Sequence, residues 1–179
     1  MIIRPNSTIL SRTLAFRAPA ARRSFLFGSS QRSHENRVFA NVRTPEELHN
    51  LTLLSAADNR PLITLWTASW CTTCQAVKPL VKGMIEDERV GQEEGGLGYV
   101  EVEMDSVLIG DLPVKYIITS MPTLLAFSRQ EPQLETKLTR PEQMKDKNQL
   151  REWLLTEARR GGRQGGAGGK AFGGWLSGR

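Results

Sequence analysis

The 179 residues include 24 Lys and Arg against 19 Asp and Glu, and 39% of the chain is hydrophobic. This length and composition predict one globular domain, and no apolar stretch approaches the roughly 18 residues of a membrane span. The basic excess lies at the ends, because residues 1–32 hold six arginines and residues 161–179 hold three basic residues, with no acid in either. Residues 33–160 keep a net charge of −4, which argues against nucleic acid as a partner.

The first 32 residues are rich in Arg, Ser and Ala, and they lack the apolar core of about 7–15 residues that a secretory signal needs. This composition predicts a mitochondrial transit peptide, with a disordered basic arm as the alternative. Residues 23–32 resemble a site that is processed in two steps, first two residues after Arg23 and then by removal of an octapeptide that begins with Phe25. We therefore expect a mature protein that begins at Ser33 and is mitochondrial, in the matrix.

The first half of the domain alternates strand and helix patterns. A short strand is expected at 37–42, and residues 44–47 predict a helix start, because Thr44 can cap it, proline takes the first helical position and glutamate completes a capping box. The apolar run 62–67 predicts a buried strand. A helix follows, with a kink expected at Pro79. Its apolar positions have helical spacing: Val77, Leu80, Val81, Met84 and Ile85.

The second half predicts three further strands and a closing helix. Residues 100–104 alternate as in a half-exposed strand, with Glu101 and Glu103 on its polar face. A short helix and loop are expected at 106–118, and the continuous apolar run 123–127 predicts a central strand. Alternation over 134–138 predicts a last strand after Pro132. The final helix is expected at 147–160, with Leu150, Trp153, Leu154 and Ala158 on one face.

The predicted order of elements is β-α-β-α-β-α-β-β-α, which favours an α/β fold with helices on both faces of a mixed central sheet of about five strands. From Gly161 onward, nine of the 19 residues are glycine, which is typical of a flexible tail. The predicted domains are thus 1–32 as transit peptide, 33–160 as folded domain and 161–179 as a Gly-rich disordered tail. Phe172 and Trp175 leave open a docking peptide in that tail.

The only two cysteines lie in Trp70-Cys71-Thr72-Thr73-Cys74, between the predicted strand 62–67 and the helix that follows. A thiol at a helix start meets unpaired N–H groups and the positive end of the helix dipole, and both favour the reactive thiolate. Cys74 can close a disulfide across one helical turn, so a reversible dithiol–disulfide couple is predicted. With no other cysteine there is no structural disulfide framework, which favours a reducing compartment.

Metal binding is the alternative use of a Cys-x-x-Cys pair, but a zinc site needs four ligands. The only histidines are His34, just past the expected cleavage site, and His49, on a helix among leucines. We therefore expect no metal within one chain, and His49 is expected at the surface or its boundary. A cluster shared by two chains stays open.

Over residues 37–158 the chain resembles the thioredoxin family. Besides the Trp-Cys-x-x-Cys motif, it has a proline five residues after the second cysteine (Pro79), an aspartate after the third strand (Asp105) and a Met121-Pro122-Thr123 turn before the fourth strand. The resemblance implies a thioredoxin fold with a cis Met121-Pro122 bond facing the cysteines. It also implies that Cys71 attacks a substrate disulfide, that Cys74 resolves the mixed disulfide, and that a substrate-binding lip surrounds the sulfurs: Trp70, Met121 and Pro122.

Four departures from the family pattern concern groups that tune the site. Thr72-Thr73 stands where thioredoxins proper have Gly-Pro, Leu65 replaces a buried aspartate, and Thr67 replaces an aromatic residue. The glycine of the loop after the fifth strand is replaced around residues 138–140. Because Leu65 cannot act as a base, we expect resolution by Cys74 to be slower than attack by Cys71.

The predicted function is thiol–disulfide oxidoreductase, a protein-disulfide reductase that exchanges disulfides with protein substrates through Cys71 and Cys74. It needs no bound cofactor, receives electrons from a reductase or glutathione, and is expected to be a monomer. The alternative is a thioredoxin-fold adaptor or subunit of a mitochondrial complex whose redox activity is weak or incidental. Turnover in insulin reduction separates the two.

Overall fold

The computed structural model describes residues 35–161. Within them, the sheet consists of five strands: β1 (Arg37–Val38), β2 (Leu62–Thr67), β3 (Gly98–Glu103), β4 (Thr123–Ser128) and β5 (Glu131–Pro132). The strand order is β1-β3-β2-β4-β5. Strands β1, β2 and β3 run parallel, and β4 runs antiparallel to β2 and β5. This arrangement confirms the predicted mixed sheet of five strands.

Helices cover both faces of this sheet. They are α1 (Pro45–Asp58), α2 (Thr72–Glu86), α3 (Leu112–Lys115), α4 (Pro141–Lys145) and α5 (Lys147–Gly161). Two separate apolar cores result, because alternate residues of β2 point to opposite faces. Ile63 and Leu65 belong to the core that α2, α4 and α5 close, whereas Leu62 and Trp66 belong to the core of α1 and α3. All six residues of β2 are buried, which makes it the centre of the molecule.

Helix α1 begins with the capping box that the sequence predicts. The Thr44 hydroxyl accepts a hydrogen bond from the Glu47 N–H at 3.2 Å, and the Glu47 carboxylate accepts one from the Thr44 N–H at 3.1 Å. A cap of this kind stabilises a helix by about 1 kcal/mol. Helix α2 continues through Pro79 to Glu86.

The segment after β5 differs from the prediction. The expected strand over 134–138 is wrong, because Leu134–Thr136 forms a 3-10 turn and only Leu138 pairs, in an isolated bridge with Leu124. The Trp153 indole N–H of α5 donates to the Thr136 carbonyl at 2.7 Å, so this carbonyl is bound by a side chain rather than by a neighbouring strand. The expected first strand is also shorter, since only Val42 pairs again, with Val102. The short α4 was not predicted.

One side chain near the start of the described residues ties several backbone groups together. The Asn36 amide donates to the carbonyls of Ile85 at 2.7 Å and Val90 at 2.9 Å, and it accepts from the Leu97 N–H at 2.8 Å. It therefore joins β1 to the end of α2 and to the loop before β3.

The expected transit peptide, and all but the first residue of the expected tail, lie outside the described residues. Among residues 35–161, no helix is both long and apolar enough to cross a membrane.

Candidate active site

The two cysteines lie where β2 passes into α2, and they form a disulfide with a Cα–Cα distance of 5.2 Å. Cys71 is the N-cap of α2, with extended backbone, and its sulfur accepts a hydrogen bond from the Cys74 N–H at 3.1 Å. The first turn of the helix thus directs a backbone donor at the sulfur of Cys71. Such a donor, together with the helix dipole, stabilises a thiolate at this position when the disulfide is reduced.

The two sulfurs differ in accessibility. Cys71 is 8% exposed, whereas Cys74 is fully buried. A second thiol or disulfide therefore approaches the pair from the side of Cys71. This is the geometry that the prediction of Cys71 as attacking thiol requires, and the assignment of the two roles stays a prediction.

The predicted substrate lip is partly assembled around the disulfide. Met121 packs against the small cluster of Ala68, Cys71 and Cys74, and the Met121-Pro122 bond is cis, as the resemblance implies. Pro122 is buried. Trp70 is 70% exposed, so its indole offers apolar surface to a partner rather than to the core.

Asp105 anchors the loop that precedes the cysteines. Its carboxylate accepts a hydrogen bond from the Ser69 N–H at 2.9 Å, and the Ser69 hydroxyl donates to the same oxygen. The Gln75 amide of α2 donates to the Ser69 carbonyl at 3.3 Å. The hydrogen bonds from Ser69 lower the pKa of Asp105 below its ordinary value. An ionised Asp105 thus holds the backbone immediately before Trp70 and Cys71.

On the face of the sheet that α2 covers, Leu65 is fully buried, and its partner in the β2–β3 register is Glu101. The Glu101 carboxylate forms an ion pair with the Lys78 ammonium of α2 at 2.8 Å, and both side chains are mostly buried, at 16% and 22% exposed. The expectation of an exposed polar face for β3 is therefore wrong at Glu101, because α2 covers it. Sequence reasoning missed this pair, although Lys78 lies only one helical turn after Cys74.

No group of three or more His, Cys, Asp or Glu side chains lies close enough to hold a metal ion in the described part of the chain. His49 is exposed, as expected. The described residues near this site include two cysteine sulfurs, an apolar lip and an ion pair. The sulfurs and the lip are features that disulfide exchange requires.

Comparisons with known proteins agree with this geometry. The thioredoxin family model matches residues 42–155. The thioredoxin of Fasciola hepatica superposes with a TM-score of 0.52 at 19% identity, over 68% of this chain and 98% of that one. A thioredoxin from Nicotiana alata gives a TM-score of 0.53 at 17% identity, over 69% and 94%. At these identities the structures support the fold alone.

None of the curated proteins compared with the sequence matches it. The family model covers more than half of the chain, however, and includes both cysteines, Asp105 and the Met121-Pro122 turn. The chain belongs to the thioredoxin family and has the thioredoxin fold.

Proposed function

We propose that this protein is a thiol–disulfide oxidoreductase that reduces disulfides in protein substrates. The observation that carries the proposal is the position of Cys71, whose sulfur accepts a hydrogen bond from the N-terminal turn of α2 and which is 8% exposed, whereas Cys74 is fully buried. One thiol is thereby activated and accessible, and the other is kept for an internal reaction.

The reaction proceeds in two exchanges. In the reduced protein the Cys71 thiolate attacks one sulfur of the substrate disulfide, the S–S bond of the substrate breaks, and its second sulfur leaves as a thiolate. Cys74 then attacks Cys71, which releases the remaining substrate sulfur and forms the Cys71–Cys74 disulfide. Two electrons pass from the protein to the substrate, so a separate dithiol or thiol donor must reduce the protein again. A reductase or glutathione is the proposed donor.

The surface around Cys71 suits an extended polypeptide. The half-buried Met121 lies against the cysteines and Trp70 projects into solvent. The backbone before Pro122 is proposed to pair with an extended substrate segment as a sheet edge does. The protein is proposed to act as a monomer, without a resident cofactor, in the mitochondrial matrix after removal of residues 1–32.

Insulin reduction by the mature chain tests the activity, with dithiothreitol as electron donor and Cys71→Ser as the control. We expect turnover in the wild type and none in the variant. Equal rates in both proteins would contradict the proposal. In mitochondria, a Cys74→Ser variant should hold its substrates as mixed disulfides through Cys71, and N-terminal sequencing of the imported protein should find Ser33.

One observation favours the adaptor as a second candidate function. Several large apolar side chains are exposed at and after the loop that follows β3, at fractions from 57% to 96%: Val107, Leu108, Val114 and Ile117. Several large apolar side chains exposed in one region are typical of a surface that contacts another protein. A mature protein that fails to reduce insulin but co-purifies with a mitochondrial complex in stoichiometric amount would favour the adaptor.

A further inference from the structure

A polar groove lies beside the loop that precedes the cysteines. Its volume is about 590 Å³, and it opens beside Ser69 and Asp105 and reaches Thr67 and Lys78. Thr67 is one of the residues that line this groove, although it is only 1% exposed, and its buried hydroxyl oxygen has no hydrogen-bond partner among the described residues. Buried hydroxyls nearly always have a protein or water partner. A groove that is open to solvent and lined with polar groups is a place where water can supply it.

Lys78 of α2, the helix that carries the cysteines, is one of the residues that line this groove, and its ammonium pairs with the Glu101 carboxylate of β3. Lys78 is four residues after Cys74, about 6 Å along the axis of α2, and side chains at this spacing share one helix face. Thr67 is on the same face of β2 as Leu65, the register partner of Glu101. Hence the carboxylate, the ammonium and the unpartnered hydroxyl all lie between the sheet and α2, on the face of the sheet that this helix covers.

We propose that the Lys78–Glu101 pair serves the resolving exchange: Glu101 accepts the proton of Cys74 through water held at Thr67, and Lys78 stabilises the thiolate that forms. This inference rests on the proposed function, because it assigns residues to its second step. It also revises the expectation that Leu65 leaves Cys74 without a base.

The pKa values of the other ionisable groups near Glu101 are shifted in directions that do not favour uptake of a proton from a thiol near neutral pH. Hydrogen bonds from Arg43 and Asn41 lower the pKa of Glu103, and those from Ser69 lower the pKa of Asp105. Burial, with Glu101 beside it, raises the pKa of Tyr99 far above its ordinary range, so the phenol stays protonated. From β2, Leu65 contributes no charge. Glu101 is the carboxylate on this face that pairs with an ammonium group of α2.

The resolving step needs no reactant beyond the protein, the bound substrate and water. The S–H bond of Cys74 breaks, its sulfur keeps the electron pair, and an O–H bond forms on Glu101 by transfer through the water. The Cys74 thiolate then bonds to the Cys71 sulfur, the bond between Cys71 and the substrate sulfur breaks, and the substrate leaves as a thiolate. The proton on Glu101 returns to solvent through the groove. Lys78 and Glu101 are positioning residues, since neither bonds to a reacting sulfur.

A chromogenic aryl disulfide separates the two exchanges in stopped flow, with the reduced mature protein in excess. Attack by Cys71 releases the first aryl thiolate, and resolution by Cys74 releases the second. With Glu101→Gln we expect an unchanged first phase and a second phase about tenfold slower near neutral pH, a modest share of what a general base contributes. The difference in second-phase rate between the variant and the wild type should shrink as the pH rises, because hydroxide then removes the Cys74 proton.

This variant also distinguishes proton transfer from simple electrostatics. Loss of a negative charge beside Lys78 favours the Cys74 thiolate, so a purely electrostatic role predicts a faster second phase. An unchanged or faster second phase would therefore overturn the inference. The matched control is Glu86→Gln, which neutralises the exposed Lys82–Glu86 pair of the same helix, at 3.7 Å, and should leave both phases unchanged.

Thr67→Val gives a second, independent test. It replaces an unpartnered hydroxyl by a methyl group of similar size, so the fold should be at least as stable as the wild type. We expect this variant to slow the second phase as well, and an unaffected second phase would overturn the water route even if Glu101→Gln fails to fold. A wild type without the first phase would overturn the proposed function, and this inference with it. If the first phase is normal and neither substitution changes the rate of the second phase, the inference is overturned and the proposed function is not affected.

Discussion

Cys71 and Cys74 are three residues apart, yet Cys71 caps the start of α2 and keeps some exposure, whereas Cys74 is fully buried within the helix. Around Cys71 the contacts come from the helix start, the loop before it and the Met121-Pro122 turn. On the face of the sheet that α2 covers lie Leu65 of β2 and the ion pair between α2 and β3. In the proposed mechanism, attack by Cys71 therefore uses groups that the Cys-x-x-Cys motif positions, whereas resolution by Cys74 uses groups that the packing of the sheet against α2 positions.

The two serine variants separate these surroundings most strongly. Cys71→Ser should abolish reaction with disulfides, because the remaining thiol is fully buried. Cys74→Ser should abolish turnover as well but should accumulate a mixed disulfide on Cys71. Mass spectrometry after incubation with oxidised insulin measures the adduct. Equal adduct formation by both variants would remove the distinction between the two sulfurs.

Leu65→Asp tests the buried face of the sheet that α2 covers. We expect a loss of about 4 kcal/mol in the free energy of unfolding, because the substitution removes a fully buried leucine and places a carboxylate beside Glu101. Urea unfolding of the reduced proteins measures it. The control is Leu65→Met, which keeps the volume and should cost less than about 1.5 kcal/mol. Similar losses in both variants would show that charge is tolerated there.

Met121→Ala tests the surface around Cys71. Its side chain contacts the cysteine cluster and is half-buried. We expect kcat/KM for insulin to fall about fivefold, which corresponds to a contact of about 1 kcal/mol, with little change in the resolving phase measured with a small aryl disulfide. A slower resolving phase would instead place Met121 with the groups that serve Cys74.

Asp105→Asn should have the smallest effect and a defined pH dependence. The folded state lowers the pKa of Asp105, so its contribution to stability is present above the unfolded pKa and is lost as the pH falls through the folded value. Near neutral pH the variant should be slightly less stable than wild type, and the difference should disappear in acid. Thermal unfolding against pH measures it. A difference that persists in strong acid would contradict the role of the Ser69 hydrogen bonds.

Local patterns predicted the parts of this molecule that local geometry determines. The capping box at Thr44, the buried run of β2 and the placement of Cys71 at a helix start follow from neighbouring residues alone. Glu101 was misjudged because alternation along β3 distinguishes two faces but does not reveal that a helix covers the polar one. The strand expected at 134–138 failed for a similar reason, since the hydrogen bond from Trp153 comes from a helix that follows later in the chain. The pairing of Lys78 with Glu101 required the fold.

The hydrogen bonds of Asn36 limit how far the N-terminus of the mature protein can be trimmed. A chain that begins at Ser33 keeps this amide, with three residues before it. Cleavage beyond Asn36 would leave the carbonyls of Ile85 and Val90 and the N–H of Leu97 without this partner. Such a product would be loosened where α2 ends, and proteases that degrade partly open chains would remove it first. If the chain is processed at Ser33 as proposed, the accuracy of that cleavage is in this way coupled to the lifetime of the protein.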